Sequence, residues 1–355
     1  MSVIRPVVRI MPVAKVRQKR LLPVPGRVVV NQGKIVKATE TVAEAYLEPR
    51  FHLINIARSL GVPRDEADEY LVCHVGEVIR KGETLAQKGG VFRKVVNSPV
   101  DGEVVLAGEG QVLIREYVSP WELPAGFPGK VSKVFAGQGV ELTTTGSVID
   151  GVWGNGKLAY GLLYNAGKSP DAVLDAAALG VELRGMVVVA GRLEDAHTLE
   201  VAESLPVRGI IVGSMPASLI PEALKVSFPI VVLDGFGARA LDPQAFRLLV
   251  TSEGRHVAVL AEPMDRYRGI RPAVIIPLPN AEVPPEPPEA VELSEGVTVR
   301  LTRAPYVGML ARVVDVPPGL VRFENGLRAP GVEVRLENGD RVMVPVANVE
   351  VLVQM

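Results

Sequence analysis

The stretch RGMVVVAGRLEDAHTLEVAESLPVRGIIVGSMPASLIPEALKVSFPIVVLDGF, residues 184–236, decides the fold. Its three Val/Ile-rich runs, at 186–190, 209–213 and 229–233, are short and show no polar alternation. Strands of that kind are covered on both faces, as in parallel sheets packed by helices. Helix-like stretches at 194–204 and 217–225 separate them. A third, at 242–252, opens on Asp242-Pro243, a capping residue followed by a helix-starting proline. Further runs at 256–261 (HVAVLA) and 273–277 (AVIIP) extend the pattern, so residues 166–279 are expected to form an α/β region on a parallel sheet. Right-handed crossovers place the C-terminal strand ends along one edge, where open α/β sheets bind ligands. Arg192, Ser214, Asp234 and Arg239 fall there and are the candidate ligand-binding residues. Arg192 and Ser214 suit an anion, and Asp234 with Asp265 suits a cation. No GxGxxG, GxSxG or HExxH pattern accompanies them, and the four histidines are scattered. No catalytic residue, metal or cofactor is therefore expected.

Outward from that region, composition bounds the rest. The chain has 355 residues, 48% hydrophobic and 22% charged, enough for several packed domains. Gly 35 and Pro 29 point to many turns and short strands, and 5% aromatics argue against stacking platforms. No apolar run approaches a membrane span, and no signal peptide is read at the N-terminus, so a cytoplasmic protein without membrane contact is expected. The single cysteine, Cys73, excludes an intrachain disulfide and a cysteine-rich zinc site. The net charge of −1 hides an asymmetry: nine basic residues precede the first acid, Glu40. Residues 1–20 read as a basic arm on an acidic body, a pattern for nucleic-acid or partner contact, with Arg17, Lys19 and Arg20 as candidates. Pro6 and Pro12 exclude a long amphipathic helix there.

Residues 21–165 read as β-rich, with helix expected only over 41–60 and 56–72. The latter, IARSLGVPRDEADEYLV, imitates a helix-turn-helix, but Asp65, Glu66, Asp68 and Glu69 would face phosphates and repel them. Over 75–114 the period changes to two, punctuated by glycines, with a hairpin signal at Asp101-Gly102. The segments GEVIRKGE (76–83), SPVDG (98–102) and GQVLI (110–114) resemble the barrel-sandwich hybrid family, the lipoyl- and biotinyl-like domains. Carriers in that family hold a modified lysine in motifs such as AMKM or DKA. Here QKGGVFRKV has Lys88 and Lys94 without the motif, so the resemblance implies the fold without the swinging arm. A β extension follows to residue 165. Within it, GVWGNGK (151–157) fits GxxxxGK, but Leu158 stands where a P-loop needs Ser or Thr and no helix follows.

Six prolines between 277 and 290 mark 280–290 as a semi-rigid linker. Residues 291–355 form a separate β module with a hairpin signal at Asn338-Gly339. Gly296, Val297, Val299, Arg300, Pro305, Gly308, Leu310, Ala311, Val313 and Val314, with the ending VPVANVEVL (344–352), resemble the KOW, SH3-like barrels of elongation factors and ribosomal proteins. That resemblance implies contact with RNA, ribosome or RNA polymerase. The module carries seven arginines, no lysine and eight acids, so nucleic-acid binding by it should be weak and protein contact is favoured. Arg300, Arg303 and Arg312 are its candidate contact residues.

The expected class is a multidomain α+β protein: a basic arm (1–20), a barrel-sandwich hybrid β domain with its extension (21–165), an α/β parallel-sheet domain (166–279), a linker (280–290) and a C-terminal SH3-like β-barrel (291–355). As a whole the chain resembles bacterial KOW-domain proteins of no assigned activity. The expected function is a non-catalytic adaptor or scaffold docking on a protein partner or ribonucleoprotein assembly, with transcription or translation machinery as candidates. The alternative is a small-ligand sensor or enzyme using the sheet edge.

Overall fold

The computed structural model describes residues 4–46, 48–89, 93–117, 120–265, 270–278, 282, 290–303, 305–306 and 309–353. The protein is mostly β, with several sheets and short helices. No helix among the described residues is long and apolar enough to cross a membrane. The linker, apart from Glu282 and Ala290, and Gly308 lie outside the described residues.

The N-terminal segment is not an arm. Ile4–Leu21 is a single long strand. It pairs antiparallel with Gly139–Asp150 from Ile10 to Leu21, antiparallel with Ala290–Glu292 at Ile4–Pro6, and parallel with Val349–Val353 at Val7–Arg9. The register slips between Met11 and Ala14, around Pro12, whose missing N–H is harmless at such an irregularity. Alternation explains why so basic a sequence folds inward: Ala14, Val16, Gln18 and Arg20 are buried, while Lys15, Arg17 and Lys19 are exposed. Arg20, 1% exposed, is ion-paired with Glu262, and its Nε reaches the Pro124 carbonyl at 3.4 Å. Arg9 grips Asp150 through two side-chain bonds of 3.0 and 2.9 Å.

The α/β region differs from expectation in strand direction and in its boundary. Met186–Arg192, Gly209–Met215 and Ile230–Phe236 are parallel neighbours. Helices Ala196–Ser204, Ile220–Lys225 and Pro243–Val250 occur near where they were expected, and Asp242 caps the last by accepting from Gln244 and Ala245 N–H. However, His256–Leu260 runs antiparallel, between Leu158–Asn165 and Ala273–Pro277. Leu158–Asn165 is itself a parallel neighbour of Met186–Arg192, so a boundary at residue 165 would cut through the sheet. Both faces are covered: Val188, Ile210, Val212 and Ile230 enter one core, and Val187, Val189, Ile211 and Val231 the other. Double burial requires apolar runs whatever the strand direction, so the runs reveal strands without revealing polarity. Lys157, from the P-loop look-alike, donates to the Leu224 carbonyl at 2.9 Å and to that of Val226, satisfying acceptors at the C-terminal end of the helix Ile220–Lys225.

The expected helix over 41–60 is also corrected. Thr41–Ala45 and Phe51–Asn55 are strands, and helix is confined to Ile56–Leu60. Asp101-Gly102 is no hairpin turn; Gly102–Gly108 instead pairs with Gln111–Glu116 across the Glu109-Gly110 turn. Ala45 pairs with Trp121, so the intervening residues form an insertion with their own core of Ile56, Leu60, Ile79, Leu85, Val104 and Ile114.

The insertion repeats the unit that holds it. GKIVKATETVA (33–43) aligns with GEVIRKGETLA (76–86). Gly33 donates to the Val131 carbonyl and Gly76 to that of Val104, at 2.8 and 2.7 Å, both with φ near +90°. Glu40 accepts from Lys37 N–H as Glu83 does from Arg80 N–H. In the C-terminal region Gly296, φ +87°, donates in the same way to Val313. That region is an antiparallel sheet of Arg341–Pro345, Gly331–Leu336, Leu310–Asp315, Thr298–Leu301 and Val349–Val353, in that spatial order, over its own core.

Removing one partner of a buried ion pair leaves the other uncompensated. Arg20→Ala is expected to lower unfolding stability by about 3 kcal/mol, read by urea denaturation. A loss below 1 kcal/mol would show that the pair contributes little.

Candidate functional site

The C-terminal strand ends of the α/β sheet are met by the C-terminal region of the same chain. Arg300, on Thr298–Leu301, is only 5% exposed. Its Nη1 donates to Asp234 Oδ1 at 2.8 Å and to Asp242 Oδ2 at 3.4 Å, and its Nη2 to Glu350 Oε2 at 2.9 Å. One guanidinium thus serves three carboxylates from two regions. Asp234 also accepts the Asp242 N–H at 2.8 Å, which ties the strand end to the following helix.

The candidate edge residues are brought near one another, but their polar atoms serve the fold. Ser214 is fully buried; its hydroxyl donates to the Arg239 carbonyl at 2.7 Å and accepts the Arg239 N–H at 2.9 Å. The Arg239 side chain donates to the carbonyls of Asp234 and Thr302. Arg192 is a register neighbour of Ser214, yet its guanidinium turns to the Asp171 carbonyl and the Glu194 carboxylate. Asp265 pairs through its backbone with Ile270. No group of three or more His, Cys, Asp or Glu residues able to hold a metal occurs among the described residues. Cys73 is buried, and burial pushes its thiol pKa up, away from the reactive thiolate.

Electrostatics mark the Arg300 cluster. Burial pushes the Asp234 carboxyl up to about 6, against the pull of Arg300 and the Asp242 N–H, with the Asp242 and Glu350 charges adding to the rise. Burial opposes the Arg300 charge too, but the three carboxylates outweigh it and hold the guanidinium more firmly protonated.

The other candidates separate into two surfaces. Arg17 and Lys19 lie on the outer face of the first strand, whereas Arg20 points into the core. On the C-terminal region, Arg312 is exposed and stands opposite Arg335, which stands opposite Arg341. The row begins at Thr298 on the adjacent strand. None of these three arginines has an ion-pair partner among the described residues. Thr298, Leu310, Arg312, Arg335 and Glu337 line an open cleft of about 300 Å³ beside the row. Met343, 37% exposed, shares the outer face with Arg341. Arg303 is exposed in the loop after Thr298–Leu301, apart from that register. Sequence reasoning missed Arg335 and Arg341, though their equal distance from Asn338, in the hairpin turn, was a usable signal. It also missed Asp242 and Glu350, whose role requires the tertiary contact.

No protein-family model matches this chain, and no curated protein matches it. The geometry therefore stands on its own chemistry.

The pH dependence of stability follows from Asp234. Its folded pKa of about 6 lies above the ordinary 3.8, so between those values the folded state holds a proton that the unfolded chain has released. The associated stability is fully present below 3.8 and lost as pH rises through 6. The limit is about 3 kcal/mol at 1.36 kcal/mol per pH unit. Asp234→Asn removes this descent. The stability of the variant relative to wild type is expected to rise by about 2.4 kcal/mol from pH 4 to pH 7, measured by urea unfolding at each pH. A flat difference would place the charge cost elsewhere.

Proposed function

We propose that this protein is a non-catalytic adaptor that docks on a larger protein or ribonucleoprotein assembly through the outer face of its C-terminal region, read from sequence as a KOW/SH3-like barrel. The observation that carries the reading is the row Arg312–Arg335–Arg341, three exposed like charges in direct cross-strand register. Such an arrangement is destabilising for a chain on its own. It favours an acidic surface presented from outside, because a guanidinium binds carboxylates through paired, planar hydrogen bonds. Leu310 and Met343 supply apolar contact beside the charges, and arginine and methionine are enriched at protein interfaces while lysine is depleted.

The sheet edge supports the adaptor reading over the ligand-binding alternative, since Ser214, Asp234 and Arg239 are engaged within the chain. The nested repeat supports the resemblance to lipoyl-like domains used as frame rather than carrier. Lys88 lies over the Tyr70 ring at 5.5 Å, and Lys94 donates to the Leu60 carbonyl at 3.1 Å.

Two measurements test the proposal. Arg335→Glu puts a carboxylate between two arginines and is expected to stabilise the protein by about 0.5–1 kcal/mol in thermal or urea unfolding. The triple variant R312E/R335E/R341E is expected to lose, by tenfold or more, the partners that wild type retains in affinity capture at low salt. Undiminished capture by the triple variant, or no retained partner with wild type, would overturn the assignment.

A further inference from the structure

The arginine row ends on an open strand edge, and what that edge implies about the partner rests on the row being the docking surface. Arg341–Pro345 pairs with Gly331–Leu336 and with no other strand among the described residues. The Leu336 N–H donates to the Asp340 carbonyl and the Val346 N–H to the Pro330 carbonyl, both at 2.9 Å. Along an antiparallel pair the bonded positions recur at every second residue. Val342 and Val344 therefore direct their backbone groups to Gly331–Leu336, while Arg341 and Met343 turn theirs to the free side. The edge is bounded by the Asn338-Gly339 hairpin at one end and by Pro345, which has no N–H, at the other. Arg341, exposed, closes the row Arg312–Arg335–Arg341. The next row, Asp315–Glu333–Met343, has the opposite charge and closes on methionine. Between the two, Val342 turns inward and packs, half-buried, against the core of the C-terminal region.

We infer that the partner is a protein with an extended segment that adds to this edge as an antiparallel strand, its side chains in the order apolar, apolar, acidic. In such an addition Arg341 and Met343 each exchange both N–H and C=O with the residue directly opposite. Those main-chain bonds supply affinity, and the alternating side chains supply specificity. Opposite Met343 an apolar residue meets the methionine. Opposite Val342 a second apolar side chain turns inward over the rim of the core. Opposite Arg341 a carboxylate completes a cross-strand row that otherwise holds three cations. Edge charges also deter aggregation, but one at Arg341 serves that purpose. Arg312 and Arg335 lie on interior strands, where they deter nothing and strengthen the pull on a carboxylate. A second copy pairing through the same edge would bring another arginine row against this one. A phosphodiester chain suits the guanidiniums, yet it has no alternating donors and acceptors to match a strand edge.

The probe is the heptapeptide Ser-Thr-Leu-Val-Glu-Thr-Ser, with an N-terminal fluorophore and a C-terminal amide, titrated with the full chain and followed by anisotropy. Replacing its glutamate with lysine is expected to weaken binding about tenfold or more. N-methylation separates strand addition from plain charge attraction and leaves the protein untouched. Methyl groups on the leucine and glutamate nitrogens remove the bonds to Met343 and Arg341 and should weaken binding about tenfold or more. A methyl group on the valine nitrogen, which faces away from the edge, should leave affinity unchanged. Bound peptide should slow hydrogen exchange at the Arg341 and Met343 amides about tenfold, read by NMR. R312E/R335E/R341E should lose the peptide. Indifference to the position of the methyl group, unchanged exchange at those two amides, or no peptide binding would overturn the inference. So would a mixed-sequence single-stranded RNA held more tightly than the peptide by the same arginines. The docking surface itself survives each of these results as long as the triple variant loses the captured partners; undiminished capture removes both.

Discussion

Everything in this molecule hangs on the pairing of one N-terminal strand with partners from distant parts of the chain. Ile4–Leu21 lends its C-terminal half to Gly139–Asp150 and its N-terminal half to Ala290–Glu292 and Val349–Val353. Its own side chains reinforce the connection: Arg9 binds Asp150, and Arg20 crosses the core to Glu262. Through Gly139–Asp150 the same hydrogen-bonded sheet passes to Ala273–Pro277 and on to the α/β strands. The regions are thus held in one continuous backbone ladder rather than joined by flexible segments alone. That arrangement gives the C-terminal region the fixed placement that Arg300 needs to meet Asp234.

The Arg300 cluster is the second connection, of a different physical kind. A buried guanidinium among three carboxylates contributes less than its Coulomb attraction suggests, because each charge has lost its water. Its geometry does fix orientation: sliding the C-terminal region by one residue would break the bonds to Asp234 and Asp242, while Glu350, paired with Arg300 in the same region, keeps the guanidinium aimed at them. Where an open α/β sheet often keeps a ligand crevice, this chain places its own arginine. Its charged surfaces lie elsewhere, on sheet faces whose strands display cations in register.

Much of this was legible in the sequence, and the parts that were not have physical reasons. The runs at 186–190, 209–213 and 229–233 are strands because double burial tolerates few polar residues, but burial is blind to direction, so the antiparallel course of His256–Leu260 was hidden. In the segment AKVRQKR (14–20) only Ala14 and Val16 show the apolar alternation of a strand; Arg17-Gln18-Lys19-Arg20 is polar throughout, so its charge suggested a solvated arm although its burial alternates. The inward Arg20 is readable only once Glu262, 242 positions away, is known to face it. The pairing of Arg335 with Arg341 was implicit in Asn338-Gly339, whereas the position of Arg312 beside them depended on a strand order that no local signal encodes. The repeat of 33–43 at 76–86 was also visible, obscured because the second copy sits inside the first.

A ladder that begins with the first strand and closes with Val349–Val353 also dictates an order of events. During synthesis the N-terminal strand leaves the ribosome long before its last partner exists, and pairing across such a sequence distance is intrinsically slow. Until then its unsatisfied N–H and C=O groups form an open edge able to recruit a strand from another chain. Pairing between chains therefore competes with pairing within one until Val349–Val353 has been made.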